Sequence, residues 1–342
     1  MVMPVLFDEA GYDVTVCDPP YAGYQEIPDL SIYDDYPDIK KYITQGTILE
    51  DDTRIQIINN RYRNFFCYAI TRISPTCLQS TLYDGGQYNR VASNENFEFQ
   101  LYYSVLKKLP EITKIQDNGN GCFVMMQNDT THTRATFTDN RYLEPVADGE
   151  PKQKHSSMTL DGITLHMDTN IQNGTYQANV AALMRVSDWM DYLKEQGVYD
   201  NTRIIIVADH GFGTLQIDGF VLDETAYCNV IDQRVGDAEF YFPLLMVKDF
   251  DSSGFSISDE FMTNADVPSL ATKDLMDSPK NPFTGKKINN SEKTAHDQLV
   301  IATAQNYLLN NTTFPSSRWY SVHDSIWDKK NWKLYAENDV IN

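Results

Sequence analysis

One stretch constrains this chain more than any other: a long amphipathic segment, a glycine, a polar turn and a β-branched run, in that order. Residues 176–196 carry Val180, Leu183, Ser187, Met190 and Leu193 at helical spacing, which predicts a helix with that face buried. Gly197 follows where a C′ glycine ends a helix. After the turn Tyr199-Asp200-Asn201-Thr202 comes Arg203-Ile204-Ile205-Ile206-Val207-Ala208. That run reads as a central parallel strand, apolar on both faces. It stops at Asp209-His210-Gly211. Strands alternating with long amphipathic helices imply an α/β layered sheet, in which ligands bind beyond the carboxyl ends of the strands.

The rest of the chain fits that class. Residues 3–11 read as a helix with Pro4 in its first turn and Gly11 beyond its end, and residues 13–17 as a strand. Residues 18–40 are rich in Tyr, Pro and Asp, which is turn chemistry. Residues 54–84 predict a helix broken at Pro75, and 94–109 another, with Phe97, Leu101, Val105 and Leu109 on one face. Residues 122–126 read as a buried strand ending in the polar segment Asn128-Asp129-Thr130-Thr131-His132. A strand is expected over 239–247, a loop over 278–291 and a small aromatic hairpin over 318–336. Two polar clusters, at 128–132 and at 209–210, are thereby predicted at strand ends.

Charge narrows the function classes. The formal net charge is −20 with no extended Lys/Arg run, so nucleic acid is not expected as a partner. An anionic substrate requires local compensation, which a divalent cation would provide. Cys17, Cys67, Cys77, Cys122 and Cys228 are odd in number and widely spaced. They support neither a zinc ribbon nor a disulfide framework and read as buried small apolar residues. No stretch is long and apolar enough to span a bilayer, and no signal-peptide layout is present.

Asp209 and His210 place a carboxylate and an imidazole side by side. Neighbouring side chains of a strand point to opposite faces, so both can face one ion only where the chain has turned. Gly211 permits such a turn. A hard carboxylate with an imidazole suits Mn²⁺, Zn²⁺ or Ca²⁺. The structural alternative is a capping Asp209 beside a loop histidine.

The string "LKEQGVYDNTRIIIVADHG", Leu193 to Gly211, resembles the sulfatase and lipoteichoic-acid-synthase families of the alkaline phosphatase superfamily. There the corresponding helix, turn and strand end deliver an Asp and a His to the catalytic metal. Weaker likenesses are "MPVLFDEAGYDVTVCD", "FVMMQNDTTH" and "NADVPSLATKDL" followed by "NPFTGKKI". The resemblance implies an alkaline-phosphatase-like layered sheet with helices on both faces. It would occupy residues 1–300, and residues 301–342 would add a C-terminal helix and small hairpin as a β extension. It implies Asp209 and His210 as metal ligands. It implies His132 as the residue that binds the phosphate or sulfate group or protonates the leaving group, with Asp129 and Thr130 orienting it and contacting substrate.

The same resemblance sets expectations against this chain. The family's nucleophile (Thr, Ser or modified Cys) and an acidic metal ligand precede the unit that begins here at residue 3. The domain is therefore expected to lack its nucleophile segment and any membrane anchor before it. "SPTCLQS" around Cys77 does not replace the sulfatase signature, because its Pro precedes the Cys. Residues 212–225 hold no Lys or His, and Asn264 stands where a His is common. Two functions follow. One is the C-terminal part of a cell-envelope phospho- or sulfo-group transferase or hydrolase, acting on a phosphorylated or sulfated lipid or glycan. The other is a non-catalytic domain that binds such an anion. Of the remaining histidines, His166 is placed to reach a site, whereas His155, His296 and His323 read as structural.

Overall fold

The computed structural model describes residues 1–19, 28–44, 65–83, 97–117, 119–145, 155–160, 162–217, 220–222, 237–303 and 317–335. Within them the fold is mixed α/β, with strands arranged in several small sheets. By compactness the chain forms two units: residues 11–154 with 173–192, and residues 2–10, 155–172 and 193–342.

Helices end where local chemistry ends them. Helix α1 (Val2–Glu9) buries Pro4 to Phe7. Helix α2 (residues 65–73) and α3 (Thr76–Tyr83) are separated at Pro75, which cannot donate to the preceding turn. Helices α4 (Phe97–Lys107) and α5 (Leu109–Ile112) follow. Helix α6 (Asn170–Glu195) starts six residues before the expected 176. The cause is a capping box: Gln172 N–H donates to Thr169 Oγ1, and Thr169 N–H donates to Gln172 Oε1, both at 3.1 Å. Its far end is a Schellman turn, in which Gly197 N–H donates to Lys194 O and Val198 N–H to Leu193 O, each at 3.0 Å. Gly197 takes φ +72 there, which costs an L side chain and not glycine.

In the first unit β1 (Asp13–Cys17) lies between β2 (Lys40–Tyr42) and β3 (Cys122–Met126), all parallel. Val14 and Val16 are buried on one face of β1. Strand β3 is less covered than expected: Cys122 is exposed and Val124 is 62% exposed. Among the described residues it is an outer strand of a three-stranded sheet, with a ladder on one side. The core is an aromatic cluster of Phe99, Tyr103, Phe137 and Tyr142 packed on Ala178 and Ala181 of α6. Phe137 meets Phe99, Tyr103 and Tyr142 edge-on, with centroids at 5.7, 5.9 and 5.3 Å, the arrangement that ring quadrupoles favour.

The buried face of α6 is shifted from the predicted one: Leu193 is buried and Val180 packs on the aromatic cluster as expected. Leu183 and Ser187 are exposed, while Gln177, Ala178, Ala181 and Arg185 are buried. Two small alanines let the rings approach the helix. Gln177 is tolerated because its Oε1 accepts from Phe137 N–H at 2.9 Å.

In the second unit β4 (Met158–Leu160) and β5 (Ile163–Leu165) form a hairpin. Strand β6 (Ile204–Val207) pairs antiparallel with β7 (Leu245–Lys248). The expectation of a central parallel strand is corrected: among the described residues its partner is β7 alone, and Val207 is 41% exposed. An apolar run does not encode its partner's direction. The strand expected over 239–247 is shortened, because Ala238–Tyr241 forms a 3-10 turn capped by the Asp237 carboxylate and Pro243 has no N–H to donate. Arg203, before β6, donates to Asp249 and to the carbonyls of Leu270, Ala271 and Lys273, so it closes the end of helix α7 (Val267–Thr272). Strands β8 (Gln298–Thr303), β9 (Ser317–Val322) and β10 (Trp332–Tyr335) make an antiparallel sheet in the order β10-β9-β8. Its β9–β10 pair occupies the segment read as an aromatic hairpin. Strand β8 crosses the boundary placed at residue 300, and 304–316, where the rest of the C-terminal helix was expected, lies outside the described residues.

Cys17 and Cys67 are half-buried, and Cys77 and Cys122 are exposed free thiols, so the expectation of buried cysteines is corrected for these four. Among the described residues no helix is long and apolar enough to cross a membrane.

Candidate functional site

The end of β6 is fixed by contacts from three other segments. Ala208 N–H donates to Leu244 O at 2.9 Å, one residue beyond the strand. The Asn264 side-chain amide donates to Ala208 O at 2.9 Å and Asp209 O at 3.0 Å. Gly211 N–H donates to Phe240 O at 3.0 Å. A Cβ on Gly211 would fall 1.9 Å from Glu239 O and 3.0 Å from Phe242 O. Only glycine brings the chain that close to the 238–241 turn.

This backbone sets the two side chains. His210 Nδ1 lies 2.7 Å from Gly211 O. A carbonyl only accepts, so Nδ1 carries a proton, and it is in the neutral form of that tautomer that Nε2 keeps a lone pair. That nitrogen is 3.6 Å from Asp209 Oδ2. The ring stacks on Phe240 with centroids 5.1 Å apart and planes at 10°. Asp209 is 89% exposed and His210 49%, so both donor atoms are open to an arriving ion.

The pair fits two neighbouring ligands of one divalent cation. Ligand atoms about 2.1 Å from an ion in tetrahedral arrangement stand roughly 3.4 Å apart, close to the 3.6 Å found here. A ligating His whose other nitrogen donates to a backbone carbonyl has its ring direction fixed. Among the described residues no group of three or more His, Cys, Asp or Glu side chains gathers in this way. Asp209 and His210 could supply two ligand positions of such an ion.

Behind the pair the 214–217 segment rests on buried carboxylates. Glu239 accepts from the N–H of Ile217 and, at 3.3 Å, from Thr214 N–H. Asp237 accepts from Leu215 N–H at 3.0 Å and Glu239 N–H at 3.2 Å. Burial, and then the neighbouring Asp237 charge, push the Glu239 carboxyl up to about 7, against the pull of its backbone donors. Gln172 Nε2 donates to Thr214 O and Leu215 O, each at 3.1 Å. His166 joins this frame through its backbone: its N–H donates to Gln216 O at 2.7 Å and its carbonyl accepts from Gln216 Nε2 at 3.2 Å. Its ring Nδ1 faces Asp168 at 3.3 Å.

The other predicted cluster lies in the first unit, after β3. Gln127 N–H donates to Cys17 O at 3.1 Å and extends the β1 ladder. Asn128 then folds the loop on itself: its Oδ1 accepts from Thr130 N–H at 3.1 Å and from Thr130 Oγ1 at 2.6 Å. Its Nδ2 donates to Tyr102 O at 3.0 Å. Thr130 is buried and its hydroxyl is used inside the loop. Asp129 is half-buried, with Oδ1 3.3 Å from Gln127 Nε2. His132 is exposed, and its N–H donates to Asp129 O at 3.0 Å.

Thus Asp209 with His210 stands in one unit, and Asp129, Thr130 and His132 share a loop of the other. Comparison with protein-family models, curated proteins and solved structures returned no match. Two side chains beside the pair were not singled out as site residues from sequence. Glu239 and Phe240 both fall in the strand expected over 239–247. The signal available for both was Asp237 followed by Ala-Glu-Phe, the pattern of a capped turn.

Proposed function

We propose that this chain forms a metal-dependent domain acting in phospho- or sulfo-group transfer or hydrolysis at the cell envelope. It would be similar to the lipoteichoic acid synthases and sulfatases, with their layered sheet. The single observation that carries the reading is the Asp209–His210 pair: adjacent, exposed, locked by Gly211, with Nε2 and the carboxylate 3.6 Å apart. Asp209 would supply a hard anionic oxygen and His210 a neutral nitrogen, which suits Mn²⁺, Zn²⁺ or Ca²⁺. Such a cation supplies Lewis acidity toward a phosphoryl or sulfuryl oxygen. The Gly211 carbonyl holds the His210 ring in the tautomer that leaves Nε2 unprotonated, and Phe240 covers one ring face. By the same resemblance His132 would bind an anionic group or protonate a leaving group, with the Asp129 turn holding its backbone.

A second reading is a domain that binds a phosphorylated or sulfated lipid or glycan without turnover, favoured by Asn264 standing where the resembled family commonly has a His. Titration calorimetry with Mn²⁺, Zn²⁺ and Ca²⁺ tests the site, and release of p-nitrophenol from its phosphate and sulfate esters, together with cleavage of a phosphoglycerol lipid, tests turnover. Metal binding lost in Asp209→Ala, with turnover of one of these esters, supports the enzyme. Metal binding without turnover, with calorimetric binding of the intact phosphoglycerol lipid, supports the binding domain. Metal binding that is absent, or equal in Asp209→Ala, would falsify the metal site and the enzyme reading with it. A phosphoglycerol lipid that does not bind would sink the second reading.

A further inference from the structure

We infer that Asn264 is the positioning residue of the Asp209–His210 pair, an inference that rests on the metal-site reading above. Asn264 opens the 3-10 turn Asn264–Asp266 that leads into α7, 55 residues from Asp209 in sequence. Its side chain reaches back so that one amide nitrogen donates to both Ala208 O and Asp209 O. These carbonyls lie at the point where the chain leaves the β6–β7 ladder, whose last register pair is Val207 with Leu245. A backbone acceptor leaving a ladder must find a new partner or water. Asn264 provides the partner, and the two bonds fix the direction of consecutive peptide planes.

Side-chain direction follows from that. The Cα–Cβ vector of Asp209 is set by the planes on either side of it, and Asn264 holds the carbonyl of each. With Gly211 N–H held by Phe240 O, the span from 208 to 211 has little freedom left. Adjacent side chains that a strand would send to opposite faces are held with Oδ2 and Nε2 3.6 Å apart.

Asn264 touches neither donor atom, so its contribution is to alignment. The turn it opens has its own support: Thr263 N–H donates to Asp266 Oδ2 at 2.7 Å, and Asp266 lies 3.5 Å from Lys293. Turn and helix should therefore persist when the amide is removed.

The test compares Asn264→Leu, a neutral side chain of similar size without donors, with Asn264→Gln, which keeps the amide, and Thr272→Val. The last removes the Thr272 hydroxyl bond to Pro268 O in α7 and loosens the same helix away from the pair. Mn²⁺ affinity is read by calorimetry, and His210 ring ¹⁵N shifts are read without metal. Loss of an outer partner of a ligand costs about 10- to 100-fold in affinity, which is the drop expected for Asn264→Leu. In that variant the His210 ring signals should also shift or broaden, and Asn264→Gln should recover part of both. Thr272→Val should lower Tm and leave affinity and ring signals unchanged. Wild-type affinity and ring signals in Asn264→Leu overturn the inference while leaving the metal reading intact. If the wild type binds no Mn²⁺, Zn²⁺ or Ca²⁺, the metal reading fails, and the metal-free ring signals then decide alone whether Asn264 aligns the pair.

Discussion

The ends of β6 and β3 both pass from a short apolar strand into a polar cluster, yet they are built differently. After β6, residues 208–211 are held by Leu244, Phe240 and Asn264, all more than 25 residues away in sequence. After β3, the loop carries bonds of its own, the Asn128 turn onto Thr130 and the His132 N–H onto Asp129 O, beside a distant anchor at Tyr102 O. The first end depends on the fold and presents two donors in one fixed direction. The second depends on a side-chain turn that four residues can form by themselves. The proposed metal site would need the first kind of support, since its geometry would have to hold with and without an ion.

The sharpest way to break the difference is Gly211→Ala. Its Cβ would meet Glu239 O at 1.9 Å, an overlap that only backbone movement relieves, so a loss of about 3 kcal/mol is expected, along with the metal affinity. Gly174→Ala is the control in the other unit. Its Cβ would sit 3.2 Å from Arg134 Cβ, and urea melts should show a far smaller change. Equal losses in the two variants would mean that the 238–241 turn yields easily.

Glu239 tests whether the long-range support responds to pH. Its folded carboxyl titrates at about 7, above the ordinary 4.5. A raised carboxyl adds stability that is complete below 4.5 and lost as pH rises through 7. Glu239→Gln cannot ionise, so it should gain on the wild type between those values, by on the order of 2 kcal/mol at pH 8. Thermal melts of both proteins from pH 4.5 to 8 check this, and a constant difference across that range would contradict it.

Asn128→Ala probes the local kind of support. It removes the acceptor of Thr130 N–H and hydroxyl, and about 1 kcal/mol is expected, the usual cost of such a cap. The loop should loosen while Mn²⁺ affinity stays at the wild-type value. The smallest effect lies in the last sheet. His323 Nε2 faces Thr294 O at 2.8 Å and Nδ1 faces Asp324 Oδ2 at 2.8 Å. Only the imidazolium donates to both, and the Thr294 carbonyl, then Asp324, raise its pKa above 6.5. Its contribution is complete below 6.5 and lost as pH rises through the raised value. His323→Gln should remove a small decline of Tm above neutral pH.

How much was legible in sequence follows the same division. Pro75, Gly197 and the β-branched run at 204–207 each marked an element end or a strand, because turn and strand preferences act over a few residues. The Thr169–Gln172 capping box was equally readable and would have set the start of α6. Leu183 and Ser187 misled the choice of its buried face. Periodicity gives a helix's period, and which stripe is covered depends on the aromatic cluster that meets it. The alanines at 178 and 181 that admit those rings carry little signal by themselves.

At the candidate site the sequence by itself determined the donors: a carboxylate, an imidazole and a glycine in succession at the end of a strand. It also determined the local turn at 128–132, through the Asn and Thr spacing. Tertiary structure alone decided that β6 pairs antiparallel with β7, that Gly211 lies against the Glu239 carbonyl, and that Asn264 reaches Ala208 and Asp209. The reason is physical. Donor chemistry belongs to single residues, whereas the direction in which a donor points is set by peptide planes, and here those planes are held from 29 to 56 residues away.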